Sequence, residues 1–175
     1  MTFQKTVRFD QAAGVVGEIA YDGPSRVTPG LIKESSFPNA YVGRFFTLDP
    51  ETGLYGAGGD IGGAQDTFIM GGISVMPKEY VSFGNDTDGP LGPSMKLPNG
   101  HVVSFMEMGY VWLYSSSTVK QGMRVVYNTN TGVISVFDRV GELPANTGEV
   151  PNTVVHRVPF ATATDGGMYV AKMTN

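Results

Sequence analysis

At 175 residues the chain is long enough for one core of ordinary size and short of two. Charged residues make up only 16%, the net charge is −4 and no basic run exceeds a pair, so the phosphate-neutralising patch that a nucleic-acid partner needs is missing. No cysteine is present, which removes disulfides and thiolate metal ligands, and the 24 Gly and 11 Pro residues stay below the share at which low-complexity disorder sets in.

The chain opens on "FQKTVRF", in which Phe3, Lys5, Val7 and Phe9 point one way and Gln4, Thr6 and Arg8 the other, the period of a half-buried strand. The N-terminus "MTFQKTVRFDQAAG" carries no apolar signal core, and no later run is long enough to span a membrane, so neither an export signal nor a membrane partner is expected. Residues 12–30, "AAGVVGEIAYDGPSRVTPG", follow with four glycines and two prolines. Gly raises the cost of a helix and Pro removes a backbone donor, so this segment reads as extended, irregular chain.

From residue 41 the strand candidates crowd together: "YVGRFFTL", "TFIMGGISVM", "HVVSFM", "YVWLYS", "MRVVY", "VISVF", "TVVHRVPF" and "MYVAKM". Between them stand "DPETG", "NDTDGPLGP", "LPNG", "NTNTG" and "TDGG", which are turn chemistry. Residues 123–137 form the clearest hairpin, with Gly132 free to take positive φ in its loop. "YVWLY" is apolar on both faces, which places Trp112 and Leu113 in a strand covered on two sides. No helix is expected, and the whole reads as an all-β sandwich or barrel of short antiparallel strands with an extended N-terminal arm. The division is 1–40 for the arm with its first strand and 41–175 for the β domain.

Chemistry is sparse. "GAGGDIGGA", residues 56–64, lacks the Lys-Ser/Thr ending of a phosphate-binding loop and leads into a strand, so it reads as a flexible loop. In "GNDTDG", residues 84–89, Asp86 and Asp88 have calcium-loop spacing, but Gly84 and Met95 stand where the first ligand and the bidentate Glu belong. His101 and His156 are too few for a His-based metal site. The serines at 115–117 lack nucleophile-elbow glycines. Carboxylates such as Asp49, Glu51, Asp60 and Asp66 fall in loops, where capping a turn is the ordinary role. No catalytic residue, cofactor or metal is assigned, and the chain is expected not to be an enzyme.

The first forty residues remain to be explained. They are either a first strand on a long connection or an arm that lies on a neighbouring chain. Burying the apolar anchors Phe3, Val7, Phe9, Val15, Val16, Ile19 and Tyr21 does not offset the entropy of fixing so much backbone, so the arm reading requires strand pairing with a partner's sheet edge. These seven side chains and Arg8 form the expected partner interface, and removing residues 1–30 is expected to leave the β domain folded.

The succession "F…VRFDQAAGVVGEIA", "NAYVGRFFTLD", "GGISVMPKEY", "GYVWL", "GMRVVYNTNTGVI" and "VPNTVVHRV" resembles the capsid cement, or head-decoration, proteins of tailed bacteriophages along nearly the whole chain. The resemblance implies a small β protein of jelly-roll type, made in the host cytoplasm and placed on the outer capsid surface of the virion. There it would bridge neighbouring copies of the major capsid protein. It also implies a homo-oligomer, with a dimer preferred to a trimer, and no cofactor. Two other classes stay open on the residues alone. One is a carbohydrate-binding or adhesion module of a phage tail or fibre, stacking sugars on Tyr110, Trp112 and Tyr114. The other is a β-fold hydrolase using Asp60 and Asp66.

Overall fold

The computed structural model of the chain describes residues 14–21, 23–59, 68–76, 96–97, 102–158 and 166–174. Among them are nine strands: β1 (Arg26–Leu31), β2 (Phe45–Leu48), β3 (Tyr55–Ala57), β4 (Ile69–Val75), β5 (Val102–Ser115), β6 (Arg124–Asn128), β7 (Ile134–Phe137), β8 (Thr147–Arg157) and β9 (Gly167–Met173). They pair antiparallel in the order β3-β2-β4-β5-β9-β8-β6-β7, with β1 on the free side of β5. The one helical element among the described residues is a 3-10 turn over Glu34–Asn39, which contains Pro38. The all-β expectation therefore holds.

β5 is the backbone of the fold. The sequence reads as two strands separated at Glu107–Gly109, but the chain runs through as one strand of 14 residues. A bulge explains the difference: Arg26 faces Met108 and Val27 faces Met106, so Glu107 has no opposite number on β1. Before the bulge Val103 and Phe105 point into one apolar cluster and Met106 into another. After it Val111 and Leu113 point into the cluster of Met106, a parity that an unbulged strand cannot give. The displaced Glu107 carboxylate accepts from Arg26 Nε at 2.7 Å and from Thr28 Oγ1 at 2.6 Å, which ties β1 to the kink.

The first half of β5 belongs to a small barrel. Around it run β1, β5, β4, β2 and β3, each antiparallel to the next. Five alternating strands close only if the last pair is parallel, and that pair is present: Ile32, directly after β1, bridges Tyr55 of β3 in parallel, with Lys33 N donating to Tyr55 O at 2.8 Å. Inside lie Ile32, Phe46, Tyr55, Val103 and Phe105. The Tyr55 and Phe105 rings stack at 4.1 Å with an interplanar angle of 4°, and Phe46 meets Phe105 at 5.1 Å. Tyr55 fits because Gly30 of β1 has no side chain, since a Cβ there would enter the tyrosine ring.

The second half of β5 heads a sheet of β5, β9, β8, β6 and β7. Its inner face, with Val111, Leu113, Val125, Tyr127, Val136, Val155 and Tyr169, packs on Phe45, Ile73, Val75 and Met106 from the barrel wall, giving the main core. The β6–β7 turn welds the two halves. Phe45 N donates to Gly132 O at 2.9 Å and Gly59 N to Thr129 O at 2.7 Å, while Arg44 Nη1 reaches Asn39 O at 3.0 Å and Thr131 O at 3.2 Å. Gly132 adopts φ 69°, as the hairpin reading expects.

Three segments differ from the sequence reading. β1 lies in the segment read as irregular arm, because its mate β5 supplies hydrogen bonds that local propensity does not register. β3 takes Gly56 and Ala57 from the expected glycine loop. β8 begins at Thr147, upstream of the expected Thr153, and accommodates Pro151 where the register with β6 breaks between Val126↔Glu149 and Arg124↔Val154.

Two variants test this packing. Gly30→Ala should lower stability to urea by about 1–3 kcal/mol and disturb the near-UV aromatic signal, because the new methyl displaces Tyr55 from Phe105. The Tyr169 hydroxyl is buried with no hydrogen-bond partner among the described residues, and burial pushes its pKa up. The folded state therefore keeps this proton while the unfolded chain releases it above pH about 10, so stability falls as pH rises through that range. Tyr169→Phe should be neutral to stabilising at pH 7 and should flatten the alkaline fall.

Candidate interaction surface

The described part of the N-terminal segment is stitched to its own chain. Gly17 N donates to Trp112 O at 2.7 Å, Trp112 N to Glu18 O at 2.9 Å and Ala20 N to Tyr110 O at 2.9 Å, so residues 17–20 run as an extra antiparallel partner of β5, with Ile19 opposite Val111. On its other side Met76 N donates to Gly17 O at 2.8 Å, which joins the same residue to the end of β4. The segment thus fills the seam between the barrel and the second sheet. A tight turn precedes it: Glu18 N donates to Val15 O and Val15 N to Glu18 Oε2, both at 3.0 Å. Gly17 has φ 82°, and a side chain there would strike Val42.

The expected interface residues divide accordingly. Phe3, Val7, Arg8 and Phe9 lie outside the described residues. Ile19 packs against the main core, and Val16 sits over Gly43. Tyr21 meets Tyr110 edge-on at 5.2 Å and His156 at 6.3 Å, while His156 meets Tyr110 at 5.1 Å. Lys172 Nζ stands 5.9 Å from the Tyr110 ring centroid, completing a cluster of three rings and a cation on the outer face of the second sheet. Val15 is 45% exposed and is the one anchor among the described residues left open to a partner. His156 occupies the β8 bulge between Val155↔Ala171 and Arg157↔Val170, which turns its ring onto Tyr110.

The same face decides the sugar-stacking reading. Gly14 lies on the indole of Trp112, where a Cβ would be 2.6 Å from three ring atoms, so the central ring of the supposed platform is covered. Tyr114, two residues on, is 51% exposed and stands apart from that cover. Among the possible acids, Asp49 caps its own turn, accepting from Glu51 N at 3.0 Å and Thr52 N at 3.4 Å. Hydrogen bonds from Thr52 and the Glu51 amide hold its carboxyl below the usual range. Asp60, Asp66, His101, the 84–89 turn and the end of the glycine loop lie outside the described residues. Gly58 and Gly59, at its start, press against Thr129 and Thr47, a structural role.

One feature has no counterpart in the sequence reading. Arg124 of β6 holds the β7–β8 connection from three sides: Nε donates to Asp138 O at 3.1 Å, Nη2 to Gly141 O at 2.9 Å, and Nη1 pairs with Glu149 at 3.0 Å. Its guanidinium also stands 5.7 Å from the Phe137 ring centroid. The signal was an Arg within the apolar "RVVY" strand, whose charge has to find partners at the strand's flank.

Comparison with known proteins agrees with an interaction role. The family described as structural cement protein (E217 gp24/Pam3 gp6) matches residues 3–173. No protein of curated function matches the chain. Among solved structures, a chain from the capsid of Myoviridae phage XM1 superposes with a TM-score of 0.60 at 14% identity, covering 100% of this chain and 99% of that one. At that identity the likeness is one of fold.

Gly17→Ala tests the stitch. The added methyl meets Val42 at a left-handed backbone position, so the 17–20 segment should lift: amide exchange at Gly17, Ala20 and Trp112 should rise at least tenfold while β6–β9 amides stay protected. Unchanged exchange at those three amides would mean that the segment is held by something other than these bonds.

Proposed function

The chain belongs to the phage structural cement proteins and has a structural, capsid-binding role, and from that premise we propose that it ties neighbouring major capsid protein subunits together from the outer surface of the head. The observation that carries the reading is the family match across residues 3–173. A chain with only 16% charged residues supports it, because shape-matched contact with protein then matters more than steering by charge. Such a protein works by addition. A contact of micromolar strength, about 8 kcal/mol, is modest alone, but repeated over a shell with each copy touching more than one subunit it opposes separation at every seam.

Within this reading the arm keeps its role with a shorter reach. Residues 17–31 complete the parent fold, so Phe3, Val7, Arg8 and Phe9, with the exposed Val15, are the part that reaches the shell or a second copy, while Val16, Ile19 and Tyr21 root it. The protein acts as a homo-oligomer, a dimer before a trimer, so that one unit spans two capsid subunits. No nucleic acid, cofactor or catalytic step enters this scheme.

Co-sedimentation of the purified protein with expanded heads tests the proposal. The full chain should bind saturably and raise the temperature at which heads release their DNA; no binding at micromolar concentration would overturn it. Removal of residues 1–13, in place of the 1–30 deletion that would open the barrel at β1, should leave the fold intact and weaken binding at least tenfold. Equal binding by that truncation would take the arm out of the interface.

A further inference from the structure

The loop between β7 and β8 is held firmly and covers nothing. Arg139, Val140, Gly141 and Glu142 are all exposed, and Val140, at 89%, is the most exposed large apolar residue among those described. None of the four joins either apolar cluster. A connection with no packing of its own is expected to fray, yet this one is fastened at both ends by Arg124, whose side chain is only 18% exposed and donates to Asp138 O and Gly141 O while pairing with Glu149. The carbonyls it binds flank the tip at positions −2 and +1 from Val140, which fixes the loop's crown. Fixing a loop ahead of contact removes the ordering cost from binding, which is how anchor residues gain affinity.

We propose that residues 138–142 form an insertion finger that engages a shell subunit, with Val140 entering an apolar socket there. The inference rests on the capsid-binding reading and names one of its contacts. A second copy of this chain is the poorer occupant. A groove of about 430 Å³ lies at the base of the finger itself. Four of the seven residues that line it, Ser117, Thr118, Lys120 and Asp138, are polar, which makes it a poor socket for the valine of a next copy. Two fingers meeting about a twofold axis would set Val140 on Val140, an area far short of what a stable dimer buries. A shell subunit requires neither, since the finger then serves as one anchor among several.

Head-binding titrations with four proteins decide the matter: the wild-type chain, Val140→Asp, Val140→Ile and Arg124→Ala. Val140→Asp changes an exposed side chain, so its melting temperature should match wild type, while its affinity for heads should fall at least tenfold through the charge placed in the socket. Val140→Ile should bind within about twofold of wild type. Arg124→Ala should raise amide exchange at residues 139–142 and weaken binding by a smaller factor. Wild-type affinity in Val140→Asp overturns the finger while leaving the cement reading intact, because the wild-type titration in the same series reports on that separately. A shift in the sedimentation equilibrium of Val140→Asp without heads present would overturn it as well, by assigning the finger to self-association.

Discussion

The bulge at Glu107 is the constraint on which the rest of the structure depends. One strand, β5, has to line a barrel with one face and the main core with the other, and then, past the kink, keep facing the main core with residues of the opposite parity. The ion pair at the bulge does not account for it: Arg26 and Glu107 are 49% and 25% exposed, and such pairs contribute about 0–1 kcal/mol. Without the extra residue Val111 and Leu113 would turn to solvent and Tyr110 and Trp112 inward, and two buried aliphatic side chains alone represent about 3–6 kcal/mol. Side-chain parity therefore decides the backbone geometry, and the Glu107 carboxylate makes use of the position it is given. Arg26 and Thr28 reach it only because β1 lies alongside, so the kink and the closing barrel strand stabilise one another.

The strands whose apolar patterning is local were legible in the sequence, and those defined by their partners were not. β6 and β7 show alternation, β-branched residues and a loop ending in Gly132, and the structure has them within a residue or two of expectation. β1, "RVTPGL", has no such pattern, since it contains both Pro29 and Gly30. Each has a reason that only the folded state shows: β1 lies at the margin of β5, where a missing donor is tolerated, and Gly30 leaves room for Tyr55. The same holds for β3, whose three residues pair with β2 and meet Ile32 across the closure. A parallel bridge between residues 23 positions apart leaves no trace in periodicity.

That residues 14 and 17 lie close against a surface was legible in their glycines; which surface was not. Glycines at 14 and 17 do mark close approach to a surface, but the surface is Trp112, Val42 and Ser74 of the same chain. Apolar anchors do not have to order this segment alone, because β5 has a flank at 110–112 that supplies main-chain hydrogen bonds in cis. The clamp by Arg124 was hidden for a different reason: its partners are two carbonyls and Glu149, and carbonyls carry no sequence signal.

Closure shapes what is left for contact. The barrel seals β1 against β3 and residues 17–20 occupy the flank of β5, so these strand edges are covered from within the chain, while β7 ends the second sheet. A protein present in many copies on one surface benefits from this, because exposed strand edges on crowded neighbours pair with each other instead of with the shell. Contact is then left to elements that project from a body whose two halves share β5, are welded at Phe45–Gly132 and Gly59–Thr129, and are wedged at the seam by Gly17. The β7–β8 loop is tied through Arg124 to β6 and, by the β6–β7 turn, to the barrel wall. Such joining suits a capsid-binding structural protein, and it arises from packing, main-chain hydrogen bonds and the Arg124 side chain together.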